Sequence, residues 1–293
     1  MKSMKRILSS LVKLTSRVVG KNNLEKLLIF SAKSIDTDLR KHALLQLGAG
    51  TTVYLENGSE LFFIQKILAR QLADNPNPLI FDVGANIGNY TLTLKENIKN
   101  AKIFSFEPVG ETFENLKRKV GDTGNLYNIG FSNLPGEGLL YNIANTNDGE
   151  TATMHKEILL DVFKSTGDIQ PMAIKLDTID NFCAVNNIKT IDFLKIDVEG
   201  NELSVMQGAP GMLAKNAIKI IQFEINAHNI YSRVFLRDFY LLLCDFEIFR
   251  LKPLGLLPLG PYKPINEIFT AQNMVAIHKT LVPQIDSRYL LTI

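Results

Sequence analysis

The residues best placed to do chemistry begin in "LIFDVGANIGNYTLTL" (79–94), where an apolar run gives way to Asp82, Gly84, Asn86 and Gly88. Two glycines so close together let the backbone turn sharply and come near a ligand. The spacing Gly-x-Asn-x-Gly lacks the tighter Gly-x-Gly-x-x-Gly that rests a pyrophosphate on a helix N-terminus. A carboxylate at position 82 would also repel phosphate, whereas it attracts an amine. Glu107 closes the next apolar run, "AKIFSFEP", where an acid can accept both hydroxyls of a ribose. The pair therefore describes an amine-bearing nucleoside without phosphates. Further on, "IDFLKIDVEGNE" supplies Asp197 and Glu199, and "IKIIQFEINAH" supplies Glu224, Asn226 and His228. These are proton acceptors and oxygen donors gathered at the ends of two more apolar runs.

Such residues need elements that bring their ends together. A strand at about 78–83 precedes a helix from Gly88 to Asn97, and "AKIFSFEP" precedes the helix "ETFENLKRKV". "NLYNIGFS", "IDFLKIDVEG" and "IKIIQFEIN" read as a third, fourth and fifth strand. Runs rich in Ile, Leu and Phe that alternate with helices predict a parallel sheet covered on both faces. Right-handed crossovers then favour a doubly wound α/β layout, with ligands outside the carboxyl ends of the strands. "GEGLLYNIANTNDGETATMH" reads as an inserted hairpin or lid. "DFEIFRL" and "NMVAIHK" read as a closing antiparallel hairpin, with the Pro/Gly-rich "LKPLGLLPLGPYKP" between them as loop. Ahead of the sheet, "TTVYLENG" predicts a short strand and "SELFFIQKILARQLAD" an amphipathic helix capped by Ser59. Residues 1–50 read as a helical extension closed by "LGAG", and 51–293 as the main domain.

A chain of 293 residues with 46% hydrophobic and 21% charged residues can bury a full core. Its net charge of +2 argues against a nucleic-acid partner, which calls for a basic excess. Cys183 and Cys244 lie far apart with no Cys/His cluster, so neither a zinc site nor a disulfide framework is indicated; both are expected to be reduced, buried thiols in a cytoplasmic protein. Within "MKSMKRILSSLVKLTSRVVGK", Met4, Ile7, Leu8, Leu11, Thr15, Val18 and Val19 fall at helical spacing. Lys2, Lys5, Arg6, Lys13, Arg17 and Lys21 supply the other side, with no acid among them. Residues 1–21 thus suit either a helix at a membrane surface, at the inner face of the cell membrane, or one docked on the main domain or in a homodimer.

"FDVGANIGNYT", "FSFEP", "LDTIDNF", "IDFLKIDVEGNE" and "IQFEI" occur in that order. Together they resemble the FkbM family of S-adenosylmethionine-dependent methyltransferases over roughly residues 51–279. The resemblance implies a Rossmann-like fold, S-adenosylmethionine as the cofactor and O-methylation of a sugar, glycan or natural product. By position it assigns Asp82, Gly84, Asn86 and Gly88 to the methionine end and Glu107 to the ribose, with Asn128 or Ser132 beside the adenine. "NIGFSN" carries Gly130 and Phe131 where the family commonly has a small apolar pair, which leaves the adenine contact least defined.

Asp197 admits two readings, a catalytic or substrate-binding carboxylate at the end of strand four, or half of a structural ion pair with Lys195. Glu199 is either a second catalytic candidate or the cap of a helix beginning near Gly200. His228, after the end of strand five, is a candidate general base or an ordinary loop histidine. Asp177 is expected to cap the helix leading to Cys183. Asp197, Glu199, Glu224 and Asn226 could offer oxygens to Mg²⁺, although residue types alone establish no metal. The competing function is a methyltransferase fold without turnover, docking on a membrane or a partner protein. A nicotinamide dehydrogenase is disfavoured by the missing third glycine and by Asp82.

Overall fold

The computed structural model describes residues 2–34, 36–50, 58–121, 125–143, 152–165 and 167–292. The chain divides into two compact units, Met1–Leu47 and Gly48–Ile293. Among the described residues the first unit holds three helices, α1 (Lys2–Val19), α2 (Lys21–Ser34) and α3 (Leu39–Leu47). Gly20, at φ +85°, separates α1 from α2 in the left-handed conformation that glycine adopts without steric cost.

Among the described residues the second unit is built on an eight-stranded sheet. In chain order its strands are β1 (Leu79–Val83), β2 (Lys102–Phe106), β3 (Leu126–Tyr127), β7 (Ile191–Ile196), β8 (Ile218–Ile225), β9 (Phe246–Lys252), β10 (Gly255–Pro258) and β11 (Gln272–His278). Their spatial order is β10-β9-β11-β8-β7-β1-β2-β3. β3, β2, β1, β7 and β8 run parallel, while β11 pairs antiparallel with both β8 and β9. The order reverses between β1 and β7, so the crevice for a ligand lies at their carboxyl ends. A three-stranded sheet, β4 (Gly130–Phe131), β6 (Ile169–Asp177) and β5 (Gly136–Ile143), has β6 in the middle.

Two hydrophobic layers sandwich the large sheet because its strands are apolar on both faces. One layer gathers Phe81, Phe106, Leu194, Ile221 and Phe223, the other Ile80, Phe193, Ile220 and Val275. Phe182, on the helix Ile179–Val185, is the hub of an aromatic cluster. Its ring meets Phe106 and Tyr127 edge-on at 5.0 and 4.9 Å, and Phe81, Phe104 and Phe131 a little farther out.

Several local expectations change. The third strand divides, β3 joining the large sheet and β4 the small one. The insert after it supplies β5, paired with β6, while the strand expected in "TTVYLENG" lies outside the described residues. "DFEIFRL" and "NMVAIHK" pair antiparallel as expected, as β9 and β11, but "LKPLGLLPLGPYKP" is not all loop: it contains β10, which pairs with the other edge of β9, Leu256 opposite Leu251. Gly58 stands at the cap position expected of Ser59, and the helix that follows winds into wider π turns over Phe63–Leu68. Thr178, not Asp177, caps the helix Ile179–Val185, its hydroxyl accepting from the Asn181 amide. Asp177 instead accepts from the Thr178 amide and the Asn181 side chain. Cys183 is buried as expected, but Cys244 is exposed.

Removing the aromatic hub should be costly. Phe182→Ala is expected to lower unfolding free energy by about 3–5 kcal/mol, the usual range for Phe→Ala in a core. Urea denaturation should show this as a lower midpoint with an unchanged slope, and Phe182→Leu should lose less.

Candidate active site

A cavity of about 410 Å³ opens at the carboxyl ends of the central strands. Its floor is the turn after β1. There the Asp197 amide donates to the Val83 carbonyl at 2.9 Å, and Gly84 turns at φ +80°. A Cβ on Gly84 would sit 1.8 Å from the Asp197 carbonyl oxygen, so only glycine lets the ends of β1 and β7 approach this closely. Gly88, at φ +90°, serves packing: a Cβ there would meet Val120 at 2.5 Å and Leu116 at 2.7 Å, both on the helix Gly110–Val120. Asn86 takes the left-handed conformation between them at φ +48°, which asparagine tolerates better than most residues.

On the β2 side of the turn, both Glu107 oxygens accept backbone amides, Oε2 from Asn86 at 3.0 Å and Oε1 from Val109 at 2.9 Å. These bonds favour the ionised form, yet burial outweighs them and pushes the carboxyl up to about 7. Each oxygen keeps a second lone pair for another donor. Val109, Phe131, Leu140, Met154, Ile174 and Leu176 form an apolar wall, much of it from the small sheet.

On the other side the cavity is acidic. Asp197, Glu199 and Glu224 line it and can each bring a carboxylate oxygen within 4.8 Å of the others. Glu199 sits at φ +51° and Gly200 at φ +102°, a sharp turn that leaves no room for a Cβ between Gly200 and His228. Burial raises the Glu199 carboxyl well above its ordinary value, with Asp197 and Glu224 adding like charge. Burial and Asp197 raise Glu224 as well. The cluster's counter-charge is Lys195, buried in β7, whose Nζ lies 3.1 Å from Asp197 and 3.5 Å from Glu60. Burial would lower the lysine, but Asp197, Glu60 and Glu224 together hold it above its usual range. Three acidic oxygens suit a hard cation, but Lys195 already supplies positive charge here and no Mg²⁺ is assigned.

Of the residues expected from sequence, Gly84, Asn86, Glu107, Asp197 and Glu199 line the cavity. Asp82 does not. Its side chain is buried in the sheet and accepts from Thr91 at 2.6 Å, with Ser105 joined to the same hydroxyl. Burial pushes its carboxyl up to about 6. Asn128 and Ser132 also lie outside the cavity: Asn128 donates to the Glu107 and Pro108 carbonyls, and the Ser132 hydroxyl turns to Asn133. Gly130 and Phe131 form the wall in their place.

His228 is likewise set back from the cavity. Its Nδ1 lies 3.1 Å from Glu199 and 3.0 Å from the Asn226 side-chain oxygen. Burial lowers its pKa to about 4, so the ring is neutral at pH 7 and Nδ1 donates or accepts according to its tautomer. It touches the cavity wall through Glu199. Glu199 does not cap the helix Glu202–Gln207, which starts after Asn201 without a side-chain cap; its first residue, Glu202, accepts the Val198 and Gly200 amides of the preceding turn. Glu60 and Tyr90 are wall residues that the sequence reading missed. Both sit in helical stretches, and no local pattern marks them as polar contributors to a distant strand end.

The family profile for the methyltransferase FkbM domain matches residues 82–248, more than half of the chain. Methyltransferase sdnD of Sordaria araneosa is 30% identical over 162 residues, covering 45% of this chain and 60% of that protein. Methyltransferase 1 of Beauveria bassiana (strain ARSEF 2860) is 28% identical over 145 residues, covering 44% and 57%. This chain thus spans less than two thirds of the length of either relative. The 2-O-methyltransferase NoeI of Sinorhizobium fredii (strain NBRC 101917 / NGR234) is 23% identical over 192 residues, covering 63% of this chain and 78% of that protein.

Two measurements test the electrostatics. Lys195→Met strands Glu60 without its cation and should destabilise by about 3–5 kcal/mol. Glu60→Gln together with Lys195→Met should recover much of this in urea melts. For Glu107, the folded chain between pH 4.5 and about 7 holds a proton that the unfolded chain has released. Its contribution to stability therefore falls as pH rises through that window and is flat above it. The stability of wild type minus that of Glu107→Gln should follow this course in denaturation series across pH.

Proposed function

The chain belongs to the methyltransferase FkbM domain family, and on that premise we propose that it transfers a methyl group from S-adenosylmethionine to a hydroxyl of a sugar, glycan or natural product. The observation that carries this reading is the sequence of groups along the strand ends. Glu107 follows β2, the glycine turn follows β1, Asp197 and Glu199 follow β7, and Glu224 lies near the end of β8. Three strand spacings separate the first from the last, roughly 14 Å. A nucleoside with a diol at one end and an ammonium-bearing amino-acid arm at the other matches that arrangement of acceptors.

In this reading the free lone pairs of Glu107 accept the ribose hydroxyls, and the apolar wall around Val109, Phe131 and Leu176 covers the base. Gly84 and Asn86 bring backbone against the methionine arm, and the carboxyl oxygens on the other side of the cavity offer acceptors to its ammonium. Asp82 and Gly88 act indirectly, by holding the turn and the helix behind it. Bound there, S-adenosylmethionine supplies a methyl group on a sulfonium, activated for transfer to a nucleophile. The chain's own task is to hold the acceptor oxygen in line and receive its proton.

Asp197 is the proton acceptor in this scheme, since its side chain is 41% exposed and Lys195 fixes its direction. Glu199 and Glu224, with their carboxyls raised toward the protonated form, orient the acceptor hydroxyl. His228 positions Glu199 through Nδ1. The relative NoeI is a 2-O-methyltransferase, which supports oxygen as the target.

Calorimetric titration tests the cofactor. Glu107→Ala should weaken S-adenosylmethionine binding by about 1.5–3 kcal/mol, the range for hydrogen bonds to a charged group. Asp197→Asn should bind the cofactor almost normally yet lose about 10²-fold or more in turnover, as expected for a general base. Turnover can be followed by mass spectrometry of methylated glycans and small molecules from cells with and without the gene. A wild-type chain that binds no S-adenosylmethionine would sink the reading; one that binds it but methylates nothing would be a binding module.

A further inference from the structure

The first unit carries a surface that the cavity chemistry does not use. Helix α1 is 18 residues long, about 27 Å, with no acid in its first turn. At 3.6 residues per turn, positions Met4, Ile7, Leu8, Leu11, Val12, Leu14, Val18 and Val19 fall within one half of its circumference. Lys2, Lys5, Arg6, Lys13 and Arg17 fall in the other half, and α1 contains no Asp or Glu. Where side chains are described, the apolar half is exposed: Val12 is 56% and Val18 80% accessible. Lys13 and Arg17 are exposed too. Helix α2 continues the theme with Leu27, Leu28, Ile29 and Phe30, all exposed.

We propose that α1 docks the protein on an anionic lipid bilayer, lying in the headgroup region with its apolar half down and its cations among the lipid phosphates. Charge decides for this occupant. An apolar stripe alone would suit a second copy of the chain equally well, but a helix with five cations and no acid finds its complement in an anionic surface. The positive end of the helix dipole, with no acid in the first turn to offset it, adds to that preference. No helix among the described residues is long and apolar enough to cross a membrane, so α1 would lie on the bilayer and not span it.

The test is flotation of the full-length chain with vesicles of phosphatidylglycerol and phosphatidylcholine, and with phosphatidylcholine alone. The wild type should bind the mixed vesicles at low salt and leave them at about 1 M salt, where the Debye length falls to about 3 Å. Binding to phosphatidylcholine alone should be weak. Lys13→Ala with Arg17→Ala should weaken partitioning about fivefold per cation, roughly 25-fold for the pair. Val12→Asp with Val18→Asp should abolish it. Far-UV circular dichroism should show the same helix content and melting as wild type for both variants. The comparison of the two lipid compositions tests the proposal with the wild type alone, should a variant misfold. Equal binding to neutral and anionic vesicles would overturn the proposal. So would a wild type that stays unbound at low salt, including one that light scattering shows to be a dimer dissociated by Val18→Asp.

Discussion

Nothing larger than a hydrogen atom fits between Gly84 and the carbonyl of Asp197, and the site depends on that contact. With the Asp197 amide bonded to Val83, it holds the ends of β1 and β7 together where the strand order reverses. The amides of Gly84 and Ala85 both donate to the Phe106 carbonyl, which ties β2 into the same junction. Glu107 then stands one residue beyond Phe106, close enough for the turn at Asn86 to bond its carboxylate. A side chain at position 84 would part the strands and move the groups on both flanks of the turn.

A second constraint is charge in a dry place. Glu60, Glu107, Glu199, Glu202 and Glu224 are all raised, in each case chiefly by burial. Desolvation on this scale normally selects against carboxylates. Here it is offset by backbone amides at Glu107 and Glu202, and by Lys195 at Glu60 and Asp197. The lysine is anchored beneath the cavity and reaches Asp197, which faces the opening. The protein thereby gathers carboxyl groups on one side of the cavity and pairs the charge buried in the sheet beneath it. His228 and Asn226 extend this network: Asn226 donates to Glu224, and His228 reaches Glu199.

The parallel sheet, the identity of its five parallel strands, the glycine turn and the acids Glu107, Asp197 and Glu199 at the strand ends were determined by sequence alone. Each is a local signal: an apolar run of strand length, a glycine that punctuates it, an acid just past its end. Tertiary structure decided what those residues face. Asp82 closes an apolar run as Glu107 does, but the helix Asn89–Asn97 folds back so that Thr91 takes its carboxylate. Ser132 turned away and Phe131 became wall because "NLYNIGFS" splits between two sheets, a choice made by partner strands distant in sequence. His228 was displaced behind Glu199 by the close approach of Gly200. Glu60 came to the cavity through a contact with Lys195 across more than a hundred residues of chain. Local patterns specify where a strand ends and which groups end it; side-chain direction, desolvation and the pairing of buried charge arise only when remote segments pack together.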